Sequence, residues 1–202
     1  MIAIIDYGMG NIHSVKKALD AMGAKTVVTN KAEDIKKAAK VVLPGVGAFG
    51  DAMAEIQKQG LSAAVEEHIK AKKIFLGICL GMHMLFESSE EAPQAKGLGI
   101  LKGTVRKFDP AAGLKIPHMG WNQIKIKKMN CPIFKDLKDS SSVYFCHSYY
   151  PQPAQPEIVA ASTEYGLDFA SIIWQDNIFA MQFHPEKSQA AGLKILENFV
   201  RL

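Results

Sequence analysis

Residues 72–85 read "KKIFLGICLGMHML". An apolar run (Ile74–Leu76) enters a glycine-flanked cysteine, Gly77-Ile78-Cys79-Leu80-Gly81, and a helix-like pattern follows. A strand that turns through G-x-C-x-G into a helix is the cysteine form of a nucleophile elbow. The flanking glycines permit a sharp turn. The helix start would direct its positive dipole end at the sulfur, which favours thiolate. A free thiol, with a pKa of about 8.5, gains from a base nearby.

The chain around this elbow alternates. "IAIID" (2–6), "KTVVT" (25–29), "KVVLP" (40–44) and "KIFLGI" (73–78) are short apolar runs. "NIHSVKKALDAMG" (11–23) has Ile12, Val15, Ala18, Leu19 and Met22 at helical spacing, with Gly23 placed to close it. Two further helical patterns fill 49–71. Apolar strands alternating with helices imply parallel βαβ units. Beyond residue 98 the character changes. "GILKGTVRKF", "NQIKIKK", "SVYFCHSYY", "EIVAAST", "ASIIWQ" and "NIFAMQF" read as short strands with turn signals, hence hairpins and antiparallel additions. "SQAAGLKILENFVRL" (188–202) reads as a closing amphipathic helix with Ser188 as N-cap. The expected architecture is a single α/β domain over 1–202. Its central sheet is mostly parallel and covered by helices on both faces, with antiparallel strands added in the second half.

The bulk numbers exclude several classes. The chain has 202 residues, 48% hydrophobic and 22% charged, with net charge +4. The lysines are scattered, and the short cluster "IKIKK" (124–128) alternates as a solvated strand edge would, so nucleic acid is not the expected partner. Three cysteines without C-x-x-C or H-E-x-x-H spacing exclude a disulfide framework and a structural zinc site. Cys131 and Cys146 read as structural. No apolar stretch is long enough to span a membrane, and "MIAIIDYG" lacks the features of a signal segment. A reduced, cytoplasmic setting is expected.

Two histidines compete as base. His83 lies four residues after Cys79, and Glu87 four after that, spaced to share a helix face. His184 ends the apolar run of "MQFHPEKS", where Pro185 stops the strand and Glu186 follows. A carboxylate there would set the imidazole tautomer and stabilise the imidazolium. "LPGVGAFG" (43–50) contains G-x-G-x-x-G (Gly45, Gly47, Gly50). However, Glu66 and Glu67, at the distance where a dinucleotide fold carries its acidic residue, fall inside a helix. Presenting backbone N–H groups to a developing oxyanion is the better use.

Together, Pro44-Gly45-Val46-Gly47, the Cys79 elbow and His184-Pro185-Glu186 resemble the class I (triad) glutamine amidotransferases. "DYGMGNI" (6–12), "PHMGWN" (117–122), "EEAP" (90–93), "YFCHSYY" (144–150) and "FHPEKS" (183–188) look like the glutaminase subunits of imidazole glycerol phosphate synthases. The resemblance spans essentially the whole chain and implies a flavodoxin-like fold. It also implies glutamine hydrolysis by a Cys79–His184–Glu186 triad through a thioester, with an oxyanion hole from the backbone of Val46 and Leu80. Gly47, His83, Glu91, Ser148 and Tyr149 would hold L-glutamine. Asn11, Trp121, Tyr144 and Lys187 would face a (β/α)₈-barrel cyclase subunit in a heterodimer, which receives the ammonia in histidine biosynthesis. No metal or other cofactor is implied. One departure stands out: the family usually has glutamine where this chain has His83. That difference leaves room for a paralogue serving another cyclase-like partner, such as one amidating a surface sugar. The third alternative is a catalytically silent docking subunit.

Overall fold

The computed structural model describes residues 1–110 and 113–202. Its first half follows the expected alternation: β1 (Ile2–Ile5), α1 (Ile12–Ala21), β2 (Thr26–Thr29), α2 (Ala32–Lys37), β3 (Lys40–Gly45), α3 (Phe49–Lys58), α4 (Leu61–Lys70), β4 (Ile74–Cys79) and a single turn α5 (Leu80–His83). The second half carries β5 (Ser88–Ser89), β6 (Gly103–Lys107), β7 (His118–Gln123), β8 (Lys125–Ile126), β9 (Ser142–His147), β10 (Tyr149–Pro153), β11 (Val159–Glu164), β12 (Asp168–Gln175), β13 (Ile178–Met181) and α6 (Gln189–Arg201).

Eight strands form the main sheet in the order β2-β1-β3-β4-β13-β12-β11-β8. The first five run parallel, and the last three add antiparallel. Alternate residues of the central strands go to opposite faces, as the two-residue period requires. Ala3, Ile5, Val41, Leu43 and Phe75 pack against α2, α3 and α4. Ile2, Ile4, Val42 and Leu76 pack against α1 and α6. Helices α1, α3, α4 and α6 each bury a 3.6-period stripe, for example Phe49, Ala52, Met53 and Ile56 of α3.

Several expectations are corrected. "NIFAMQF" forms no simple antiparallel addition: β13 lies antiparallel to β12 but parallel to β4, and so completes the parallel core. "SVYFCHSYY" breaks at Ser148 into β9, which pairs with β7, and β10, which pairs with β6. Ser188 occupies the start of α6, but its side chain makes no capping bond to the helix. Gly23 lies just past α1 with φ +78°, and its N–H donates to the Asp20 carbonyl as a helix-closing glycine should. The "IKIKK" segment (124–128) supplies β8, at one edge of the main sheet. Among the described residues, no helix is long and apolar enough to cross a membrane.

Candidate active site

The sheet order brings three distant segments together. β4 lies between β3 and β13, with Gly45 opposite Cys79 and Met181 opposite Ile78. All three strands are parallel, so their carboxyl ends open at one edge, where α/β folds place their sites.

The elbow differs in one respect from the sequence reading. The strained backbone belongs to the cysteine: Cys79 has φ +53° and ψ −111°. The flanking glycines are required by close approach instead. A Cβ on Gly81 would lie 1.9 Å from the Leu43 carbonyl oxygen, and one on Gly77 would lie 2.9 Å from the Gly81 carbonyl oxygen. Any side chain there would push the turn away from β3. The helix after the elbow is also shorter than expected. A four-residue turn supplies little macrodipole, so the sulfur depends on its side-chain neighbours.

The first of those neighbours is His184. Its backbone N–H donates to the Tyr144 carbonyl at 3.0 Å. Its Nδ1 donates to Glu186 Oε1 at 3.1 Å, and both side chains are buried. That bond leaves Nε2 for the Cys79 sulfur. Burial alone would pull the imidazole pKa down. The hydrogen bonds and charges of Cys79 and Glu186 outweigh burial and push it up to about 10. At neutral pH His184 is therefore held as an imidazolium beside the Cys79 sulfur. The second carboxylate oxygen, Glu186 Oε2, is buried without a protein partner among the described residues.

Cys79 and His184 open onto a cavity of about 330 Å³, within the ~300–1,000 Å³ range of small-ligand sites. Val46 and Leu80, the expected oxyanion donors, line it. Gly47, Glu91, Ser148 and Tyr149 line it as well, so all of the expected glutamine contacts converge there. Glu91 Oε2 accepts the Phe49 N–H at 2.9 Å, which fixes the carboxylate at the start of α3. Gly47 turns with φ +98°, a conformation that suits glycine. Cys146, read from the sequence as structural, also reaches the cavity and is only partly buried. Cys131 is buried, as expected.

His83 also lines the cavity, but it is not paired with Glu87. The Glu87 carboxylate accepts instead from Lys102 at 2.9 Å and from the Gly103 N–H at 3.0 Å. The His83 Nε2–H donates to Gln182 Oε1 at 2.6 Å, and Gln182 Nε2 lies 3.9 Å from Cys79 Sγ. Burial pushes the His83 pKa down to about 4 against the opposing pull of that bond. His83 thus turns its Nε2 to Gln182, whereas His184 is the imidazole bonded to both Glu186 and the Cys79 sulfur.

The glutamine amidotransferase class-I family profile matches residues 3–202. The chain belongs to the class-I glutamine amidotransferases. It is 49% identical over 201 residues to the imidazole glycerol phosphate synthase subunit HisH of Moorella thermoacetica, a match covering 100% of this chain and 94% of that protein. It is 50% identical to the same subunit of a Cyanothece species, covering 99% and 95%. Among solved structures, one described as a glutamine amidotransferase superposes with a TM-score of 0.77 at 18% identity, covering 100% of this chain and 99% of that one. The glutaminase domain of Trypanosoma brucei CTPS with bound acivicin gives 0.69 at 15% identity, covering 99% and 93%. The last two matches show the shared fold.

This amidotransferase carries a second histidine system that the sequence reading missed. His147 Nδ1 donates to the Tyr149 carbonyl at 2.8 Å, so its Nε2 must accept from His118 Nδ1 at 2.9 Å. His118 Nε2 then accepts from Asn122 at 3.3 Å. Both imidazoles are buried, and both pKa values are lowered chiefly by that burial, His118 to about 4. His147 lines the cavity. The available signal was the alternation of β7 and β9, which sends His118 and His147 to the same buried side.

The amidotransferase's expected partner-side residues fall into two groups. Trp121 and Tyr144 face each other across β7 and β9, with ring centres 6.1 Å apart, and Lys187 Nζ lies 6.0 Å from the Tyr144 ring. Trp121 is 50% exposed and Met119, two residues back on the same strand, 60%. Lys187 also lines the cavity, so this aromatic face reaches the mouth of the site. Asn11 precedes α1 at the end of a loop that packs on the Pro44–Gly47 segment. A Cβ on Gly10 would lie 3.8 Å from Gly45 Cα, and one on Gly47 would lie 2.8 Å from Met9 Cε.

Proposed function

We propose that this chain hydrolyses glutamine and passes the ammonia to a cyclase partner, as the glutaminase subunit of an imidazole glycerol phosphate synthase. The observation that carries the reading is the buried His184–Glu186 pair against Cys79, at the edge of a cavity where every expected substrate contact converges. The Cys79 thiolate attacks the carboxamide carbon. The oxyanion is met by the backbone N–H groups of Val46 and Leu80. The His184 imidazolium gives its proton to the departing nitrogen, releasing ammonia and leaving a γ-glutamyl thioester. His184, now neutral, takes a proton from water as the water attacks the thioester. Glutamate leaves and the thiolate–imidazolium pair is restored. Glu186 keeps Nδ1 protonated and Nε2 aimed at the sulfur throughout.

Gly47, Glu91, Ser148 and Tyr149 hold the glutamine. Asn11, Trp121, Tyr144 and Lys187 form the docking side for a (β/α)₈-barrel cyclase subunit, with the exposed Trp121 as the central anchor. Full-length identity near one half to HisH subunits supports this partner over a cyclase-like paralogue. The test is glutamate release from glutamine, measured alone and with a histidine-pathway cyclase and its ligand, together with rescue of a histidine auxotroph lacking this subunit. Stimulated glutamate release with no rescue would point to the paralogue. No release under any condition would point to the silent docking subunit.

A further inference from the structure

The chemistry above gives no role to Gln182, a buried polar side chain beside the site. Gln182 is fully buried in an otherwise apolar run, Ile178–Met181 before it and Phe183 after it. A carboxamide in such a place is costly unless both of its ends are paired. Its oxygen accepts the His83 Nε2–H at 2.6 Å. Its nitrogen has one partner among the described residues, the Cys79 sulfur at 3.9 Å, within reach for a large acceptor atom.

The directions follow from the inventory of donors. A carbonyl oxygen only accepts, so His83 must carry its proton on Nε2. With the oxygen held there, the N–H₂ end must face the sulfur. The opposite amide orientation would set a carbonyl oxygen against the thiolate, two acceptors face to face. We propose that His83 is a positioning residue: by fixing the Gln182 carboxamide, it holds a second hydrogen-bond donor on the Cys79 thiolate, beside His184. The inference rests on Cys79 being the nucleophile. It gives His83 a task distinct from the substrate contact expected for a glutamine at that position. Hydrogen bonds to an ionised acceptor are the stronger kind, so a long contact to a thiolate still biases the thiol toward ionisation. The neutral His83 imidazole keeps its Nε2–H across the working pH range, so the arrangement does not itself titrate there.

The other titratable groups around the sulfur are His184, with Glu186 behind it, and the Tyr7 phenol, which burial and then the Cys79 charge push up. His147, whose pKa burial lowers first, also feels the charges of His83 and His184. None of these is altered by the variants below.

The experiment follows iodoacetamide labelling of the full-length chain as a function of pH, read by mass spectrometry of the peptide containing Cys79. Gln182→Leu and His83→Leu should each raise the labelling midpoint by about half to one pH unit and slow labelling below it roughly three- to tenfold. The double variant should be no worse than either single one, since both remove the same contact. His83→Gln can still donate to the Gln182 oxygen and should keep the wild-type midpoint, a rescue that a purely space-filling role would not produce. Gln182→Met is the second variant should Gln182→Leu fold poorly, with urea unfolding as the check. An unchanged midpoint in folded Gln182 variants would overturn the inference, as would His83→Gln behaving like His83→Leu. Glutamate release is measured separately on the wild type: its absence would sink the proposed function, while the labelling midpoints alone decide the role of His83.

Discussion

The Tyr144 N–H donates to the Ser188 hydroxyl oxygen at 2.9 Å, and the same hydroxyl donates to the His184 carbonyl at 2.6 Å. One side chain thus ties the strand bearing the exposed aromatic face to the turn bearing the histidine. Ser188→Ala should leave the partly buried Tyr144 N–H without its side-chain acceptor and cost about 1 kcal/mol, read as a lower urea midpoint with an unchanged slope. It should also lower partner-stimulated kcat roughly tenfold with KM nearly constant, because His184 loses its fixed position. Wild-type kinetics in this variant would show that the clasp is structural only. His184→Ala should abolish the activity altogether.

Glu186 sets the upper edge of the pH profile. In the proposed mechanism the protonated His184 supplies the leaving group's proton, so kcat/KM should fall as pH rises through about 10, where the imidazolium is lost. Glu186→Gln removes a negative charge that favours the imidazolium. The descending limb should therefore move to lower pH. A limb that stays in place would mean that Glu186 does not face the working histidine.

Acid should destabilise the fold before any carboxylate is needed to explain it. His83 and His118 are buried neutral, each with its pKa depressed from 6.5 to about 4, and His147 is depressed as well. The unfolded chain binds these protons first, so stability is fully present above about pH 6.5 and is lost progressively as pH falls toward 4. For His83 alone, a shift of this size corresponds to roughly 3 kcal/mol. Urea midpoints at pH 7, 5.5 and 4.5 check this, and His118→Asn should flatten the slope.

Trp121→Ala should leave the isolated chain's unfolding unchanged, because the indole is half exposed. It should weaken binding to the cyclase partner by about 2 kcal/mol or more, roughly thirtyfold, as expected of an aromatic anchor. Isothermal titration with the partner measures it. Equal affinity in the variant would move the docking surface elsewhere.

What the sequence disclosed is what local chemistry writes locally. Gly77 and Gly81 mark the elbow because no other residue fits beside β3, and Pro185 marks the strand end that carries His184. The parallel placement of β13 was not legible: an apolar run looks alike whichever neighbour it pairs with. Gln182 was invisible for a related reason. It is an amide in a buried strand, and its partners His83 and Cys79 lie 99 and 103 residues away. Ser188 looked like a cap, since serine before an amphipathic helix usually is one. Its hydroxyl was claimed instead by a strand that only the tertiary fold brings near.

The positive φ of Cys79 carries a last consequence. Most L-residues resist that conformation, and glycine accepts it. The cheapest residue for the turn is therefore one with no sulfur at all. Cys79→Ala should keep the strain and gain no stability from its relief, whereas Cys79→Gly should release about 1 kcal/mol or more while destroying the activity. The reactive position is thus a standing loan of folding stability, carried by the sheet on either side of it, and the dead enzyme is the sturdier protein.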